Sequence, residues 1–515
     1  MKKSSALINT FYSTISTYVE FFFGLLISIL IARQLGPEQF GIYSYLIWLS
    51  ALSMVVINGG VSLGCIKFIA EARANESSNV ILSIYRYFQL VQLKKLIIYA
   101  LITFGVIYFF GDNLTQNLNP HIFYVVVVAS MIKTYYMYGV SVLKGFEDFR
   151  ALAAVSLVIS PINFILILTC YITEQPLQIY IWVYFIVSTL YLISLYPLLF
   201  KRINDFRIHS HSINLTLKHR MSHHLWTASW ISIFNFIVLR QSELFFLNIF
   251  STPEDMAYFN VGYSLAFASM ALVPGVYSTI LLPLMAGENS KGGGNVEYQL
   301  KVSLRYMFQL IIALIMPVCF FAKQIFIFLY GAQYLSAVVP FQIILVCISL
   351  KTLSDCTNAY FLSIDGQSFV LKLIIAASIL TLSLDFFLIK QYQLMGALIA
   401  ISASTIFMTF SYMFFTLKRL NIKLEWNIYA RTLLCGAIAM LLISPIGHYA
   451  PNIYGVIIGG GGYVILYIFM LLFTYSMSYE DITTVRNANK KYIKVKIFDK
   501  LLLRLQEKTS SKGMI

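Results

Sequence analysis

Charge is scarce in this sequence. Asp, Glu, Lys and Arg make up 11% of 515 residues, where a soluble domain carries roughly a quarter. Hydrophobic residues reach 59%, so a water-soluble core is excluded. Cysteine is sparse as well. The six (Cys65, Cys170, Cys319, Cys347, Cys356, Cys435) fall within or at the ends of apolar segments and form no C-x-x-C pair. They read as small buried apolar residues, not as a disulfide framework or a metal site. No phosphate-binding G-x-x-x-x-G-K-[ST] loop is present, and Lys291-Gly292-Gly293-Gly294 reads as a flexible linker. No cofactor and no metal are therefore expected. Long polar insertions are lacking too.

What is present is a succession of apolar runs, each long enough to cross a bilayer. The run from about Phe11 to Ile31 is too long for a signal-peptide core and is followed by no small-residue cleavage site, so it reads as the first span. Fourteen spans follow from the pattern: 9–32, 42–66, 95–111, 121–143, 152–173, 178–200, 224–250, 257–286, 305–329, 335–362, 368–389, 394–417, 427–447 and 453–477.

The formal charge of +15 is explained by topology. Most cations lie on one side: Lys2 and Lys3, the loops after even-numbered spans (Lys67, Arg73, Lys144, Arg150, Lys201, Arg202, Arg220, Lys418, Arg419) and the tail from Arg486 to Lys512. The alternate loops, such as Gly111-Asp112-Asn113, hold almost none. The positive-inside rule makes the basic side cytoplasmic, with both termini there. The excess charge then meets anionic membrane lipid, and nucleic acid is not needed as a partner.

A repeat is visible. Pro37-Glu38-Gln39-Phe40-Gly41-Ile42-Tyr43 follows span 1, and Pro253-Glu254-Asp255-Met256-Ala257-Tyr258-Phe259 follows span 7. Leu143-Lys144-Gly145 and Ile364-Asp365-Gly366 repeat at a nearly equal offset. Six spans separate the copies, so both keep one orientation, as in repeats related about the membrane normal. The expected architecture is all-α. It has an N-terminal lobe at 1–200, a cytoplasmic loop at 201–223 and a C-terminal lobe at 224–417. Spans 13–14 (418–478) lie outside the lobes, and 479–515 is a basic tail.

At Ala32-Arg33-Gln34-Leu35-Gly36-Pro37-Glu38-Gln39-Phe40-Gly41-Ile42-Tyr43-Ser44 the sequence resembles the A-R-x-L-G-P-E-x-F-G-x-Y-S signature of Wzx-type polysaccharide flippases. That family shares a superfamily with MATE drug exporters and lipid II flippases. Tyr330-Gly331-Ala332-Gln333-Tyr334-Leu335-Ser336-Ala337 is similar to its Y-G-x-x-Y-x-x-A, and Leu394-Met395-Gly396-Ala397-Leu398-Ile399-Ala400 to its G-A-x-I-A. The sequence departs from the family around span 11, where Asp385 and Lys390 replace a common Asn and Pro. The resemblance implies transport without catalysis of a polyprenyl-pyrophosphate-linked oligosaccharide, such as an O-antigen unit of lipopolysaccharide, across a bacterial inner membrane. It implies a proton or sodium ion and a polysaccharide polymerase complex as further partners. The signature residues themselves read as structural: Gly36-Pro37 ends a helix and Gly41 permits tight re-entry.

Function is expected at charges inside spans, each costing roughly 2.5–3.5 kcal/mol or more at the bilayer centre unless given a partner or a polar cavity. Arg240 is the leading candidate for substrate binding, because a guanidinium matches a phosphate bidentately; pairing with Glu243, one turn on, is the structural alternative. Lys133 and Lys351 are the other substrate candidates, Lys351 having Asp355 one turn away. Glu20, Glu243 and Asp355 are candidates for ion coupling or pairing. Lys323, Lys372 and Lys390 lie near helix ends and snorkel. Pro161, Pro197, Pro274, Pro317 and Pro340 are kink candidates. His209, His211, His219, His223 and His224 crowd a basic loop and read as part of it. A MATE-type cation-coupled exporter is the alternative function, disfavoured by the cations within spans. A polymerase or glycosyltransferase would need a large outer domain that the sequence lacks.

Overall fold

The computed structural model describes residues 3–74, 80–114, 120–204, 214–239, 242–271, 296–364, 366–422, 424–449 and 452–474. These residues are helical almost throughout, and no strand occurs among them. Such a fold satisfies every backbone polar group within its own segment, which a chain surrounded by hydrocarbon must do. The apolar surface is turned outward: Ile457, Ile458 and Ile465 of the last helix are 65%, 63% and 71% exposed. This is a multi-pass membrane protein.

The chain forms two compact units, residues 1–261 with 374–401, and residues 262–373 with 402–515. Unit 1 begins with α1, Lys3–Ala74. It is two spans in sequence, joined at Gly36, whose φ of 73° breaks the helix. Glycine adopts that conformation without a Cβ clash, and Pro37 then opens the second helix where its missing N–H costs nothing. α2 (Ile81–Leu114), α3 (Pro120–Gly145), α4 (Phe149–Ile172) and α5 (Leu177–Asn204) follow. α1 packs on α3, α4 and α2, and α3 on α5. Leu46, Ile122, Val126, Leu177 and Ile181 form a core where α1, α3 and α5 meet. At the basic end Asp148 caps α4, accepting from the Ala151 N–H at 3.2 Å, and pairs with Arg202 of α5 at 2.6 Å.

Span 7 departs from its expected form. It starts earlier, with α6 at Leu215–Leu239, and continues as a separate short helix, α7, at Glu243–Phe250. The two are bent by 58°. α8 covers Pro253–Ala271; the second half of the expected span 8 lies outside the described residues, as do Arg240, the glycine linker, Pro274, His209, His211 and the tail.

Unit 2 holds α9 (Val296–Phe320), α10 (Ala322–Leu329), a 3-10 turn at Ala332–Ala337 and α11 (Val338–Ser363). α12 (Gln367–Leu384) and α13 (Lys390–Leu420) each have residues in both units and are joined by a π-helical turn, Asp385–Ile389. No loop separates spans 11 and 12; Gln393 (φ 48°) alone breaks the helix. Gly396 makes the sharp return possible, since a Cβ there would lie 2.1 Å from the Leu388 carbonyl oxygen. α14 (Trp426–Tyr449) and α15 (Ile453–Phe473) complete the unit. They dock on α9 through Tyr463 and Tyr467, whose hydroxyls donate to the carbonyls of Ile312 (3.1 Å) and Gln309 (3.0 Å). Pro161, Pro197 and Pro317 sit inside helices that keep helical dihedrals, and Pro340 falls in the first turn of α11.

Candidate functional site

Two of the charges singled out in the sequence meet in unit 1. A cavity of 340 Å³ opens between the first half of α1, α3, α4 and Tyr191 of α5. Its polar lining comprises Ser13, Ser16, Thr17, Glu20, Lys133, Tyr136, Ser156, Ser160 and Asn163, with Lys144 towards the basic end. Such a concentration of hydroxyls among apolar helices is a polar site in a medium that penalises one.

Each charge is held from behind. The Lys133 ammonium lies over the rings of Tyr191 (5.1 Å) and Tyr184 (5.7 Å), an electrostatic attraction to the π-faces. Tyr191 is fixed by Ser160 at 3.0 Å and Tyr184 by Ser50 at 2.6 Å. Ser156 Oγ donates to Glu20 Oε1. Ser156 has a single proton, so Ser16 Oγ, 2.9 Å away, is the donor to Ser156. Lys133 and Glu20 act on each other electrostatically but form no ion pair within 4 Å, and neither pairs with another described residue. A cation and an anion are thus presented side by side.

A second polar group lies at the break between α6 and α7. Asp385, fully buried in the π-helical turn, accepts from Ser242 Oγ at 2.8 Å through Oδ2; its Oδ1 has no partner among the described residues. Glu243 is 4% exposed and lies within electrostatic range of Asp385. Two neighbouring carboxyls in apolar surroundings favour sharing a proton or a cation over two negative charges. Asp385 is legible in the sequence as an acid inside an apolar run, but its meeting with Ser242 and Glu243 is not. Among the described residues no group of three or more His, Cys, Asp or Glu is placed to hold a metal ion.

Lys351 and Asp355 stand one turn apart on α11, in unit 2, within electrostatic range of each other. The fold therefore brings Glu20 to Lys133 and Glu243 to Asp385, and it leaves Lys351 with Asp355.

A seam closes unit 1 along the second half of α1. At one end Gly41 lies against Pro253, and a Cβ on it would come within 1.7 Å of the Pro253 carbonyl oxygen. Asn260 Nδ2 donates to Ser44 Oγ at 2.7 Å. Midway, Gly59 and Gly60 admit Ser232, Leu225 and Ser229 of α6. At the basic end Arg220 Nη2 reaches both oxygens of Glu71 at 2.8 Å while its guanidinium lies 5.3 Å from the Phe68 ring.

A polytopic helical protein with charges lining a cavity inside its spans has the form of a membrane translocator. Comparison with known proteins narrows this. Residues 6–289 match the family described as "Polysaccharide biosynthesis protein", and the chain belongs to that family. Among solved structures it is similar to a lipid II flippase, MurJ, in an inward closed conformation (TM-score 0.69, 14% identity, 90% of this chain and 98% of the other). It is similar to an inward-facing MATE-family multidrug resistance transporter of the MOP superfamily (0.66, 13%, 79% and 98%). A MOP superfamily transporter from Pyrococcus furiosus also shares the fold (0.54, 13%, 81% and 96%). No curated protein matches the sequence.

Proposed function

We propose that the protein is a flippase that carries a polyprenyl-pyrophosphate-linked oligosaccharide, an O-antigen or other surface-polysaccharide unit, from the cytoplasmic to the outer leaflet of a bacterial inner membrane. The observation that carries this reading is the hydroxyl-lined cavity with Glu20 and Lys133 inside the spans of unit 1. Membership of a polysaccharide-biosynthesis family supports the same reading. The glycan crosses through polar surroundings while the polyprenyl tail stays in lipid. Two six-helix lobes, 1–200 and 224–417, alternate between inward-open and outward-open arrangements, with both termini cytoplasmic.

Arg240 binds the pyrophosphate, with Lys133 and Lys351 as further substrate contacts. Glu243 with Asp385, and Asp355, carry the coupling proton or sodium ion. Glu20 differs from these because it faces the cavity. A polysaccharide polymerase complex receives the product. Arg240→Lys should lower surface glycan in part and Arg240→Ala should abolish it, with protein still in the membrane. Full surface glycan with Arg240→Ala at normal expression refutes the assignment. A MATE-type cation exporter is the second reading, favoured by the carboxylate in the cavity. It requires drug sensitivity in cells lacking the protein, with surface glycan intact.

A further inference from the structure

We propose that the cavity of unit 1 is a subsite for uncharged pyranose residues of the glycan, gripped between Glu20 and Lys133. The proposal rests on the flippase reading and names the chemistry of one stretch of its path.

Charge balance comes first. The interior of the cavity carries one carboxylate and one ammonium; Lys144, the other cation of the lining, is the penultimate residue of α3 at the basic end. A pyrophosphate or an acidic sugar would satisfy Lys133 and be repelled by Glu20. A cationic ligand meets the reverse. A neutral diol suits both at once, because a hydroxyl donates to a carboxylate and another accepts from an ammonium.

The supports behind each charge leave the right atoms free. Tyr184 and Tyr191 hold Lys133 through ring faces, which consume none of its three N–H donors. Ser156 takes one oxygen of Glu20 and leaves the other. The two groups are close enough to interact yet too far apart to pair. A ligand group bridging them replaces the water that would otherwise solvate two charges in an apolar bundle.

The walls fit the rest of a sugar. Tyr136 and Phe23 supply aromatic surface for the C–H face of a pyranose, while Thr17 and Asn163 supply further donors and acceptors. A Cβ added at Gly24 would meet nothing within 4 Å, so space remains beside α1. At 340 Å³ the cavity lies at the small end of ligand sites, roughly 300–1,000 Å³. It accepts a piece of the glycan and not a whole repeat unit with its pyrophosphate.

The test uses the full chain in lipid nanodiscs and three probes: maltose, a disaccharide bearing a glucuronate, and inorganic pyrophosphate. Binding is read by saturation-transfer NMR, and folding of every variant by its melting temperature. Maltose should bind the parent protein better than either anion. Glu20→Gln and Lys133→Gln should each weaken maltose about tenfold. Glu20→Gln should also improve binding of the glucuronate probe. Tighter binding of glucuronate or pyrophosphate than of maltose by the parent protein overturns the proposal. So does maltose binding unchanged in both variants, or no binding of any probe. Failure of these binding results with lipid-linked glycan still crossing the membrane sinks the subsite and spares the flippase. The full binding pattern with no glycan crossing under any condition sinks the flippase reading instead.

Discussion

Asn260 donates a hydrogen bond to Ser44, the residue 216 positions before it. That separation is also the offset between Pro37 and Pro253 at the heads of the two repeated motifs. Under a two-fold rotation a residue touches its own mate only at the axis. The contact agrees with a two-fold between the motif copies, and it gives Ser44, buried in an apolar span, a hydrogen-bond partner. A second repeat-to-repeat contact, Gly41 against Pro253, stands beside it.

Gly41→Ala tests this seam. A methyl group would collide with a backbone oxygen that no rotamer change can move. The expected cost is about 1–3 kcal/mol, the usual range for overpacking, read as a lower melting temperature of the purified protein. Gly24→Ala, which meets open space, should leave the melting temperature unchanged. Equal effects would show that the seam is not tightly packed.

The Glu71–Arg220 pair is expected to act as a latch at the basic end. Exposed as it is, at 34% and 52% of the side chains, it contributes only about 0.2–1 kcal/mol, which suits a contact that opens and closes. Cysteines placed at both positions and bridged by a cleavable bifunctional thiol reagent should stop glycan export until the bridge is cleaved. Glu71→Arg and Arg220→Glu singly should impair export, and the double reversal should restore it. Normal export by a fully cross-linked protein would assign the pair a purely structural role.

Topology provides an independent check. Reporters fused at Asn117 and at Ser212 should lie on opposite sides of the membrane, the second in the cytoplasm. Placement on one side would break the assignment of spans between them.

The sequence disclosed most of the helices because hydrocarbon demands long apolar runs, and runs are countable. It disclosed less where one residue decides the backbone. Gly36 and Gln393 each end a span with a single positive φ and no loop, so spans 1–2 and 11–12 are closer than their apolar runs suggest. The 58° angle between α6 and α7 was not legible, because apolarity on both sides makes span 7 read as continuous. Glu20 and Lys133 were legible as costly charges. Their meeting was not, since it depends on α1 packing beside α3, and nothing local encodes that. Of the family motifs, the second lies in the core: Tyr330, Tyr334 and Ala337 are fully buried, with the two rings 5.6 Å apart.

The two tyrosines of α15 should anchor spans 13 and 14. Tyr467→Phe removes one hydrogen bond to α9 and leaves the Gln309 carbonyl without that donor. A loss of about 0.5–1.5 kcal/mol is expected, and Tyr463→Phe with Tyr467→Phe should cost more than either alone. No change in the melting temperature of the double variant would mean that apolar packing alone seats these helices.

The central claim is that the protein moves a lipid-linked glycan across the membrane. Its most direct test is to deplete the protein in cells and to ask, with a membrane-impermeant lectin, how much lipid-linked glycan lies on the outer leaflet. The account predicts that total lipid-linked glycan stays constant or rises while the lectin-accessible fraction falls, and that restoring the protein reverses this. An accessible fraction unchanged by depletion would contradict it.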